Sequence, residues 1–327
     1  MEKRKNILLT GGAGFIGSHI ADALMNNDRV GKVRVLDNLA TGAKDNIIHH
    51  LGNPKFEFIE GDIRDYDTCL HAADGMDLVC HQAALGSVPR SINDPLTSNA
   101  VNVTGTLNIF TAAKETGIKR VVFAASSSTY GDHPGLPKVE DKIGNPLSPY
   151  AVTKLVNELY ARVYATAYGM EFIGLRYFNI FGPRQSPSGP YAAVIPLFAQ
   201  AILDGKSPTI NGDGSTSRDF TYVDNAVHAN LLALFTENPE AVNQVYNIAC
   251  GKQKSLLELF EGLKLHTEAD IRPTFGPERK GDVKHSLADI SKAHRLLEYE
   301  VLMNVEEGLK RTMDWFREKV EGVKEVE

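Results

Sequence analysis

Tyr150 and Lys154 stand four residues apart in the segment SPYAVTKLVNELYA. Ser148 suits the cap of a helix and Pro149 its first position, so Tyr150 and Lys154 are expected on one helical face, about one turn apart. A free phenol has a pKa of about 10, too high for a base at neutral pH, but an adjacent ammonium and the positive helix end favour the phenolate. Tyr150 is therefore a candidate acid/base, with Lys154 as its partner.

Three glycines near the N-terminus indicate where a cofactor would bind. In NILLTGGAGFIG, Gly11, Gly14 and Gly17 lie between an apolar run and a predicted helix. Glycine permits a tight turn and close approach of the backbone to a pyrophosphate, whose charge the helix N-terminus favours. Asp37 ends the next predicted strand, where it could accept from ribose hydroxyls and repel a 2′-phosphate. The pattern predicts NAD rather than NADP.

The ends of later predicted strands extend this candidate site. The segments GDIRD and HQAALGSVPRS follow two of them, and open α/β sheets bind ligands at that edge. Asp62 could accept from the adenine amino group, and residues 82–85 would lie along the cofactor. The predicted cofactor residues are Gly11, Gly14, Phe15, Ile16, Gly17, Asp37, Asn38, Thr41, Gly42, Asp62, Ile63, Gln82, Ala83 and Ala84, with Tyr150 and Lys154.

With NAD+ as the oxidant, Tyr150 can take the proton of a substrate hydroxyl whose carbon loses hydride. Ser126 ends the preceding strand in AASSSTYG and can share the hydrogen bond to that hydroxyl. Lys154 would also hold the nicotinamide ribose, and the positive nicotinamide ring would further favour the phenolate. Tyr150, Lys154 and Ser126 are thus the predicted catalytic residues.

Short apolar strands alternate with longer helical patterns in the first half of the chain. This order predicts an α/β fold with a doubly wound parallel sheet, the Rossmann arrangement. The candidate strands are Asn6–Thr10, Val33–Asp37, Phe56–Glu60, Leu78–His81, Arg120–Ala125 and Phe172–Tyr177, and the candidate helices are Phe15–Asn26, Ile92–Thr116 and Pro149–Tyr168.

The sequence becomes less regular after residue 178, with Pro/Gly/Ser-rich loops such as FGPRQSPSGP. We expect residues 1–178 to form the NAD-binding domain and residues 179–327 a smaller, mixed α/β substrate-binding lobe. Segments around 220–250, including YNIACG, are expected to return to the first domain.

Composition excludes several classes of protein. The net charge of −6 gives no basic footprint for nucleic acid. The three cysteines have no metal-ligand spacing, His49–His50 is interpreted as a solvated helix end, and no metal is predicted. No apolar run is long enough for a signal peptide or a membrane span, so we expect a cytoplasmic protein without a membrane partner.

The glycine turn, Asp37, the strand-end serine and the Y-x-x-x-K pair resemble the extended short-chain dehydrogenase/reductase superfamily over essentially the whole chain. Within it, HQAALGSVPRSINDP, SSSTYGDHPGLPKVED, YAAVIP, INGDGSTSRDF and GDVKHSLADISKA resemble bacterial UDP-N-acetylglucosamine 4-epimerases. Such enzymes serve O-antigen and capsule precursor synthesis. The resemblance implies that hydride leaves C4 of the sugar for NAD+ while Tyr150 takes the O4 proton. The 4-keto sugar then turns over, and hydride returns to its other face.

The resemblance also implies which residues contact a UDP-N-acetylhexosamine. Two arginines would clamp the diphosphate, as guanidinium groups suit phosphates, while Asn102 and Phe178 would complete the cofactor pocket. The implied substrate residues are Ser87, Ser126, Ser127, Ser128 and Tyr150 at the sugar, Asn179 at the sugar and phosphates, Ala193, Val194 and Asn211 near the uridine, Arg218 and Arg279 at the diphosphate, and Ser286.

The resemblance implies that the residue at position 286 determines which sugar is accepted. In the resembled family a bulky tyrosine at this position accompanies glucose/galactose epimerases, whereas a small residue leaves room for an N-acetyl group. Serine is small, so the sequence favours UDP-N-acetylglucosamine and UDP-N-acetylgalactosamine.

Other interpretations stay open at this point. Plain UDP-glucose/UDP-galactose and UDP-GlcNAc uronate are alternative substrates, the latter with Arg90 facing a C5 carboxylate. A 4,6-dehydratase would need an Asp-Glu pair where Ser127 and Ser128 stand. A non-catalytic dinucleotide sensor would usually lack the Tyr150–Lys154 pair. Apolar positions such as Leu107, Phe110, Leu155, Leu159 and Val163 predict a homodimer packed through the helices 92–116 and 149–168.

Overall fold

A computed structural model describes residues 3–189, 191–277 and 284–324 of the chain, the side chains of 322–324 excepted. Its centre is a parallel sheet of seven strands in the order β11-β6-β5-β4-β1-β2-β3. These strands are β1 (Lys5–Thr10), β2 (Val30–Asp37), β3 (Phe56–Glu60), β4 (Leu78–His81), β5 (Arg120–Ser126), β6 (Glu171–Tyr177) and β11 (Gln244–Ile248). The strand order reverses beside β1, as in a doubly wound sheet, so the predicted fold class is confirmed.

Helices cover both faces of this sheet, because successive side chains of each strand point to opposite sides. On β1, Ile7 and Leu9 join one buried cluster and Leu8 joins the other. Helices on the first face are α1 (Phe15–Met25), α8 (Val223–Phe235) and α10 (Ser291–Leu297); those on the second are α2 (Tyr66–Ala73), α5 (Thr106–Glu115) and α6 (Pro149–Tyr168).

The predicted helix Ile92–Thr116 is wrong as one continuous element. The chain forms α3 (Val88–Asn93), α4 (Pro95–Asn99) and a π-helical turn (Ala100–Gly105) before α5 begins. Pro95 cannot continue a helix from the preceding turn, and the Asp94 side chain instead accepts a bond from the Thr97 amide, 3.0 Å, to start a new one. The π turn re-aims Asn102 into the interior, where it is fully buried.

Most of the second half of the chain surrounds its own apolar cluster. The helices here are α7 (Val194–Leu203), α9 (Leu256–Lys264) and α11 (Val305–Lys324), and three two-stranded pairs lie beside them. The pairs are β7 (Ile180–Phe181) with β10 (Thr221–Tyr222), β8 (Thr209–Asn211) with β13 (Thr274–Gly276), and the antiparallel β9 (Ser217–Asp219) with β12 (Gln253–Ser255).

Strand β11 belongs to the main sheet although it comes late in the chain. It pairs in parallel with β6, from Gln244 opposite Ile173 to Ile248 opposite Tyr177. The YNIACG segment therefore supplies an edge strand to the sheet. Within the described ranges, no helix is both long and apolar enough to cross a bilayer.

Candidate functional site

A cavity of about 640 Å³ opens where the strands of the main sheet end. This edge gathers the loops that follow β1, β2, β3, β4 and β5, as in other open α/β sheets. The structure brings together at this cavity the predicted residues Gly11, Gly14, Phe15, Ile16, Gly17, Asp37, Asn38, Thr41, Asp62, Ile63, Gln82, Ala83, Ala84, Ser87, Ser126, Ser127, Tyr150, Lys154 and Asn179.

The glycine turn between β1 and α1 has no room for side chains. Gly11 has a φ of +71°, and a Cβ there would lie 2.6 Å from the Ala83 nitrogen. A Cβ on Gly17 would lie 2.0 Å from the Gly11 oxygen. No side chain in the described ranges caps α1, which begins after Gly14, so its first amides remain free to bind an anion. These features fit the pyrophosphate of NAD.

Asp37 ends β2 beside the glycine turn and is almost fully buried. Its two carboxylate oxygens accept from the Ala13 amide at 2.9 Å and the Leu39 amide at 2.8 Å. Burial raises its pKa, while the two amides oppose that rise. Each oxygen keeps a second lone pair, so the carboxylate can still accept from the hydroxyls of an adenosine ribose.

Asp62 already has partners in the structure. The Arg64 guanidinium donates to it at 2.6 Å and 3.0 Å, the Arg64 amide at 2.8 Å and the Asn38 amide group at 2.9 Å. The bonds from Arg64 lower the pKa of Asp62 to about 2. An adenine amino group would therefore have to displace one of these donors. The sequence did not reveal that Asp62 already has these partners.

Tyr150 stands in the first turn of α6, which begins as predicted. The Ser148 hydroxyl accepts from the Ala151 amide at 3.2 Å, and the Tyr150 amide donates to the Ser91 hydroxyl at 3.0 Å. Burial raises the pKa of the Tyr150 phenol, and a hydrogen bond with Ser126 opposes that rise. The lowering of this pKa predicted from sequence is therefore not seen in the protein alone; the positive nicotinamide ring of NAD+ would have to supply it.

Ser126 is held so that its own proton is available. Its oxygen accepts from the Ser128 amide at 3.1 Å and from the Ser128 hydroxyl at 2.9 Å. Both lone pairs are thus engaged, and the Ser126 hydroxyl can donate to Tyr150 or to a substrate oxygen. Ser128 supports Ser126 from behind and is not among the residues that line the cavity.

Lys154 is only 4% exposed and is one of the residues that line the cavity. It donates to the Ala124 carbonyl at 2.8 Å and lies 5.9 Å from the centre of the Tyr150 ring. Burial lowers the pKa of Lys154 to about 8, while the Glu158 carboxylate opposes that change. Two of its three protons remain for a ribose or for Tyr150.

Three predicted cofactor residues act from outside the cavity. Asn102 binds the backbone of Leu85 in both directions, 2.7 Å and 3.0 Å, and so supports the cavity wall. Phe178 is fully buried, with its ring 5.9 Å from that of Tyr130, so its side chain belongs to the core. Gly42 packs on the glycine turn, where a Cβ would lie 2.7 Å from Ala13. A role for Phe178 in completing the cofactor pocket stays a prediction, which its buried side chain could serve only from behind the cavity wall.

The predicted substrate residues fall into two groups. Ser87 lies at the cavity but also caps α3 through the Arg90 amide, and Asn179, beyond β6, donates to the Asp219 carbonyl at 3.3 Å. The others lie outside the cavity lining, on the second half of the chain: Ala193 and Val194 at the start of α7, Asn211 on β8, Arg218 on β9 and Ser286 beside β9. Arg279 lies outside the described residues.

Asp219, next to Arg218 on β9, is a functional candidate that no sequence motif indicated. Its side chain is fully buried and accepts from the Cys250 amide at 3.0 Å and the Ala288 amide at 3.1 Å. The Asp219 amide lies 3.5 Å from the Ser286 hydroxyl. It therefore joins the segments that carry Arg218 and Ser286, a role set by tertiary contacts that no local pattern signals.

Tyr177 and Gln185 also line the cavity and were missed. Tyr177 is the last residue of β6, and strand ends at this edge are the signal that could have found it. Its hydroxyl donates to Gln82 at 2.9 Å and accepts from Asn230 at 2.7 Å.

The His49–His50 pair is not a simply solvated helix end. Both imidazoles lie 2.7 Å from one oxygen of Asp22, whose other oxygen lies 2.8 Å from the Arg184 guanidinium. The cluster ties α1 to the loop after β2 and to the loop after β7. Arg184 balances the charge of this carboxylate.

Comparisons with known proteins agree with this geometry. The profile of the NAD dependent epimerase/dehydratase family matches residues 7–249. A UDP-glucose 4-epimerase of Mycolicibacterium smegmatis is 37% identical over 95% of this chain and 98% of its own length.

Two solved structures superpose on nearly the whole molecule. A UDP-N-acetylglucosamine 4-epimerase from Methanobrevibacter ruminantium, in complex with UDP-N-acetylmuramic acid, is 42% identical with a TM-score of 0.90, over 97% of this chain and 100% of that chain. A UDP-glucose 4-epimerase from Thermotoga maritima, with UDP-glucose, is 37% identical with a TM-score of 0.90, over 96% and 99%. The predictions of an epimerase and of NAD as its cofactor are confirmed, and the chain belongs to the NAD-dependent epimerase/dehydratase family.

Proposed function

We propose that the protein is an NAD-dependent 4-epimerase that interconverts UDP-N-acetylglucosamine and UDP-N-acetylgalactosamine. The single observation that carries the proposal is that Tyr150, Lys154 and Ser126 line the same cavity as the glycine turn. This arrangement suits proton transfer at a sugar hydroxyl beside a nicotinamide.

Bound NAD+ supplies a reversible hydride acceptor. Tyr150 takes the proton of O4 as C4 becomes a ketone, and it returns that proton once hydride has re-added to the opposite face. Ser126 donates a hydrogen bond to O4 and holds it against the phenol. Lys154 holds the ribose and favours the phenolate through its charge. Two electrons leave C4 and two return, so no external oxidant is consumed.

The cofactor and the nucleotide of the substrate would be bound by two different parts of the chain. Residues 1–178, with β11, would hold NAD, while residues 179–327 would hold the nucleotide. Arg218 is half-buried on β9 and would bind the diphosphate, with Arg279 as its predicted partner. Contacts concentrated on UDP would leave the hexose ring free to turn over between the two hydride steps.

The N-acetyl group is favoured by the small side chain at Ser286. This residue is half-buried. Its hydroxyl lies beside the Asp219 amide, and the Asp219 carbonyl accepts a hydrogen bond from Asn179, which lines the cavity. A tyrosine in its place would compete with a 2-acetamido group for the same volume. The 42% identical epimerase from M. ruminantium has an N-acetylglucosamine substrate by name, which supports the same choice.

A second candidate substrate is the UDP-GlcNAc uronate. Arg90 lies on α3, whose first residue, Val88, lines the cavity, and its guanidinium stacks 5.2 Å from the centre of the Tyr191 ring. Its Nε is buried without a hydrogen-bond partner among the described residues. A carboxylate at C5 would satisfy that donor.

The products would serve polysaccharide precursor synthesis, such as O-antigen or capsule, in the cytoplasm.

We also propose a homodimer. Val152, Leu159 and Val163 are exposed along one stripe of α6, while Phe110 of α5 faces the sheet. A second copy would bury this stripe in a four-helix bundle. Val163→Glu should shift the mass in light scattering from dimer to monomer; a monomeric wild type would refute the dimer.

Product analysis by NMR tests the function. UDP-GlcNAc, UDP-Glc and UDP-GlcNAcA are offered separately to the wild type and to Tyr150→Phe. We expect C4 inversion of UDP-GlcNAc, with a rate about a hundredfold or more lower in Tyr150→Phe, because the acid/base is lost. Faster conversion of UDP-Glc or UDP-GlcNAcA would identify that sugar nucleotide, rather than UDP-GlcNAc, as the substrate. Bound NAD without turnover of any UDP-hexose would favour a dinucleotide sensor.

A further inference from the structure

His81 is a buried histidine that the proposed chemistry does not use. It ends β4, is 3% exposed, and packs edge-on against Phe110. Its Nδ1 lies 2.6 Å from the Thr10 hydroxyl, at the end of the neighbouring strand β1. Its Nε2 lies 2.9 Å from the Thr106 hydroxyl, at the start of α5. Both threonines are buried, so neither hydroxyl can turn to water instead.

The hydrogen bond from Thr106 to Asn102 indicates the direction of the two bonds to His81. Thr106 has one hydroxyl proton, and it donates that proton to the Asn102 carbonyl at 2.7 Å. The Thr106 oxygen can therefore only accept from His81, which places the imidazole proton on Nε2. The Nδ1 must then accept, so Thr10 donates to it, and the Thr10 oxygen remains an acceptor for the Ala83 amide at 3.3 Å.

Both ends of this chain of bonds reach the site. At one end, the Ala83 amide donates to Thr10, and Ala83 is one of the residues that line the cofactor cavity. At the other, the Asn102 side chain binds Leu85 and donates to the Thr153 hydroxyl at 3.2 Å. Thr153 in turn donates to the Tyr150 carbonyl at 2.7 Å. The wall of the cavity and the first turn of α6 are thus connected through the interior.

We propose that His81 is a positioning residue, which as a neutral Nε2–H imidazole holds the Ala83–Leu85 wall in register with the segment that carries Tyr150. Burial, together with the nearby Lys154 ammonium, lowers the pKa of His81 to about 3, so the ring stays neutral at physiological pH. A doubly protonated ring would present a donor to Thr10 and break the sequence of bonds. The kinetic part of this inference rests on the proposed function; the tautomer does not.

The tautomer is tested in the NAD-loaded wild type by ¹⁵N-histidine NMR, with the His81 signals identified from their loss in His81→Gln. We expect one protonated nitrogen, Nε2, and no titration of the ring between about pH 5 and 8. A proton on Nδ1, or a ring that titrates in that range, would overturn the inference. Because this measurement involves no substrate, it stands even where Tyr150→Phe refutes the epimerase.

Positioning is tested with two variants and a matched control. His81→Phe fills the space but removes both bonds, whereas His81→Gln keeps one acceptor and one donor. Tyr246→Phe removes another buried bond, 2.8 Å to the Ala241 carbonyl, on the far edge of the sheet. All rates are expressed per NAD-loaded enzyme, with kcat and KM measured separately.

We expect kcat of His81→Phe to fall about tenfold or more with KM for the UDP-sugar within about twofold. His81→Gln should recover most of that loss, and Tyr246→Phe should leave kcat unchanged while lowering thermal stability. An equal loss of stability in His81→Phe and Tyr246→Phe, with kcat preserved in both, would reduce His81 to a structural residue. Failure of His81→Gln to rescue kcat would also contradict the proposal.

Discussion

The cofactor edge and the substrate side of this molecule are built in different ways. Asp37 and Ser126 end two strands of the seven-stranded sheet, and Tyr150 stands in the first turn of α6, which packs on that sheet. Arg218 and Ser286 instead depend on a two-stranded pair and on Asp219, whose amide lies beside the Ser286 hydroxyl and whose buried carboxylate accepts from the nearby Ala288 amide. Catalytic groups thus take their positions from a regular scaffold, while the groups proposed to choose the sugar take theirs from a few irregular contacts.

This difference has a consequence for mutation. Asp37 and Ser126 end strands that are paired with a neighbouring strand, opposite Glu60 and Tyr177 respectively, so a side-chain change there should remove chemistry and leave the backbone in place. Around Asp219, one side chain satisfies amides from two separate segments, so a change there moves several residues together. Three variants test this difference between the two regions.

Lys154→Met should have the largest effect, with kcat reduced about a hundredfold or more, because the variant loses both the charge that favours the Tyr150 phenolate and two donors for the ribose. The fold should survive, since methionine keeps the apolar stem. Epimerisation rates and bound NAD are measured together. Lys206→Met, at an exposed lysine paired with Asp204, is the control and should match the wild type. Full activity in Lys154→Met would show that Lys154 takes no part in the reaction.

The cofactor edge was largely predictable from sequence because its signals are local. Glycine spacing, a strand-end carboxylate and an i, i+4 Tyr–Lys pair each follow from steric rules or helix periodicity. The break at Pro95 was visible but outweighed by apolar periodicity. The π turn was not visible, because no composition rule marks where one extra residue enters a helix turn.

The substrate side was less predictable for a physical reason. Asp219, Cys250 and Ala288 meet through contacts between segments far apart in the chain. Asp62 likewise looked free in sequence, although Arg64 and Asn38 already occupy its oxygens. Phe178 differs again: its motif is local, but its side chain turned to the core because a buried cluster with Tyr130 was available.

Asp219→Asn tests the substrate side through pH. Burial raises the pKa of Asp219 from 3.8 to about 6, although backbone amides oppose the rise. A raised carboxyl pKa gives stability that is present below the unfolded value and is lost as pH rises through the folded value. A shift of about 2 units corresponds to about 3 kcal/mol at most.

Unfolding free energies of the wild type and Asp219→Asn are therefore compared by urea titration between about pH 4 and 7. We expect the stability advantage of the wild type to shrink by up to about 3 kcal/mol across this range, because asparagine does not titrate. All other groups titrate in both proteins and cancel. A constant difference across the range would show that Asp219 ionises normally. The variant should also raise KM for the UDP-sugar while it keeps its NAD.

Ser286→Tyr has the smallest expected free-energy effect and addresses specificity most directly. The phenol should fill the space assigned to the acetamido group, so the ratio of kcat/KM for UDP-GlcNAc to that for UDP-Glc should fall about tenfold. Ser286→Ala, which stays small, should keep the ratio and thereby separate volume from the hydroxyl bond to Asp219. Because Ser286 lies outside the cofactor cavity, NAD retention should be unchanged in both variants. An unchanged ratio in Ser286→Tyr would mean that the acetamido group lies elsewhere, and that the irregular side of the molecule selects the nucleotide rather than the sugar.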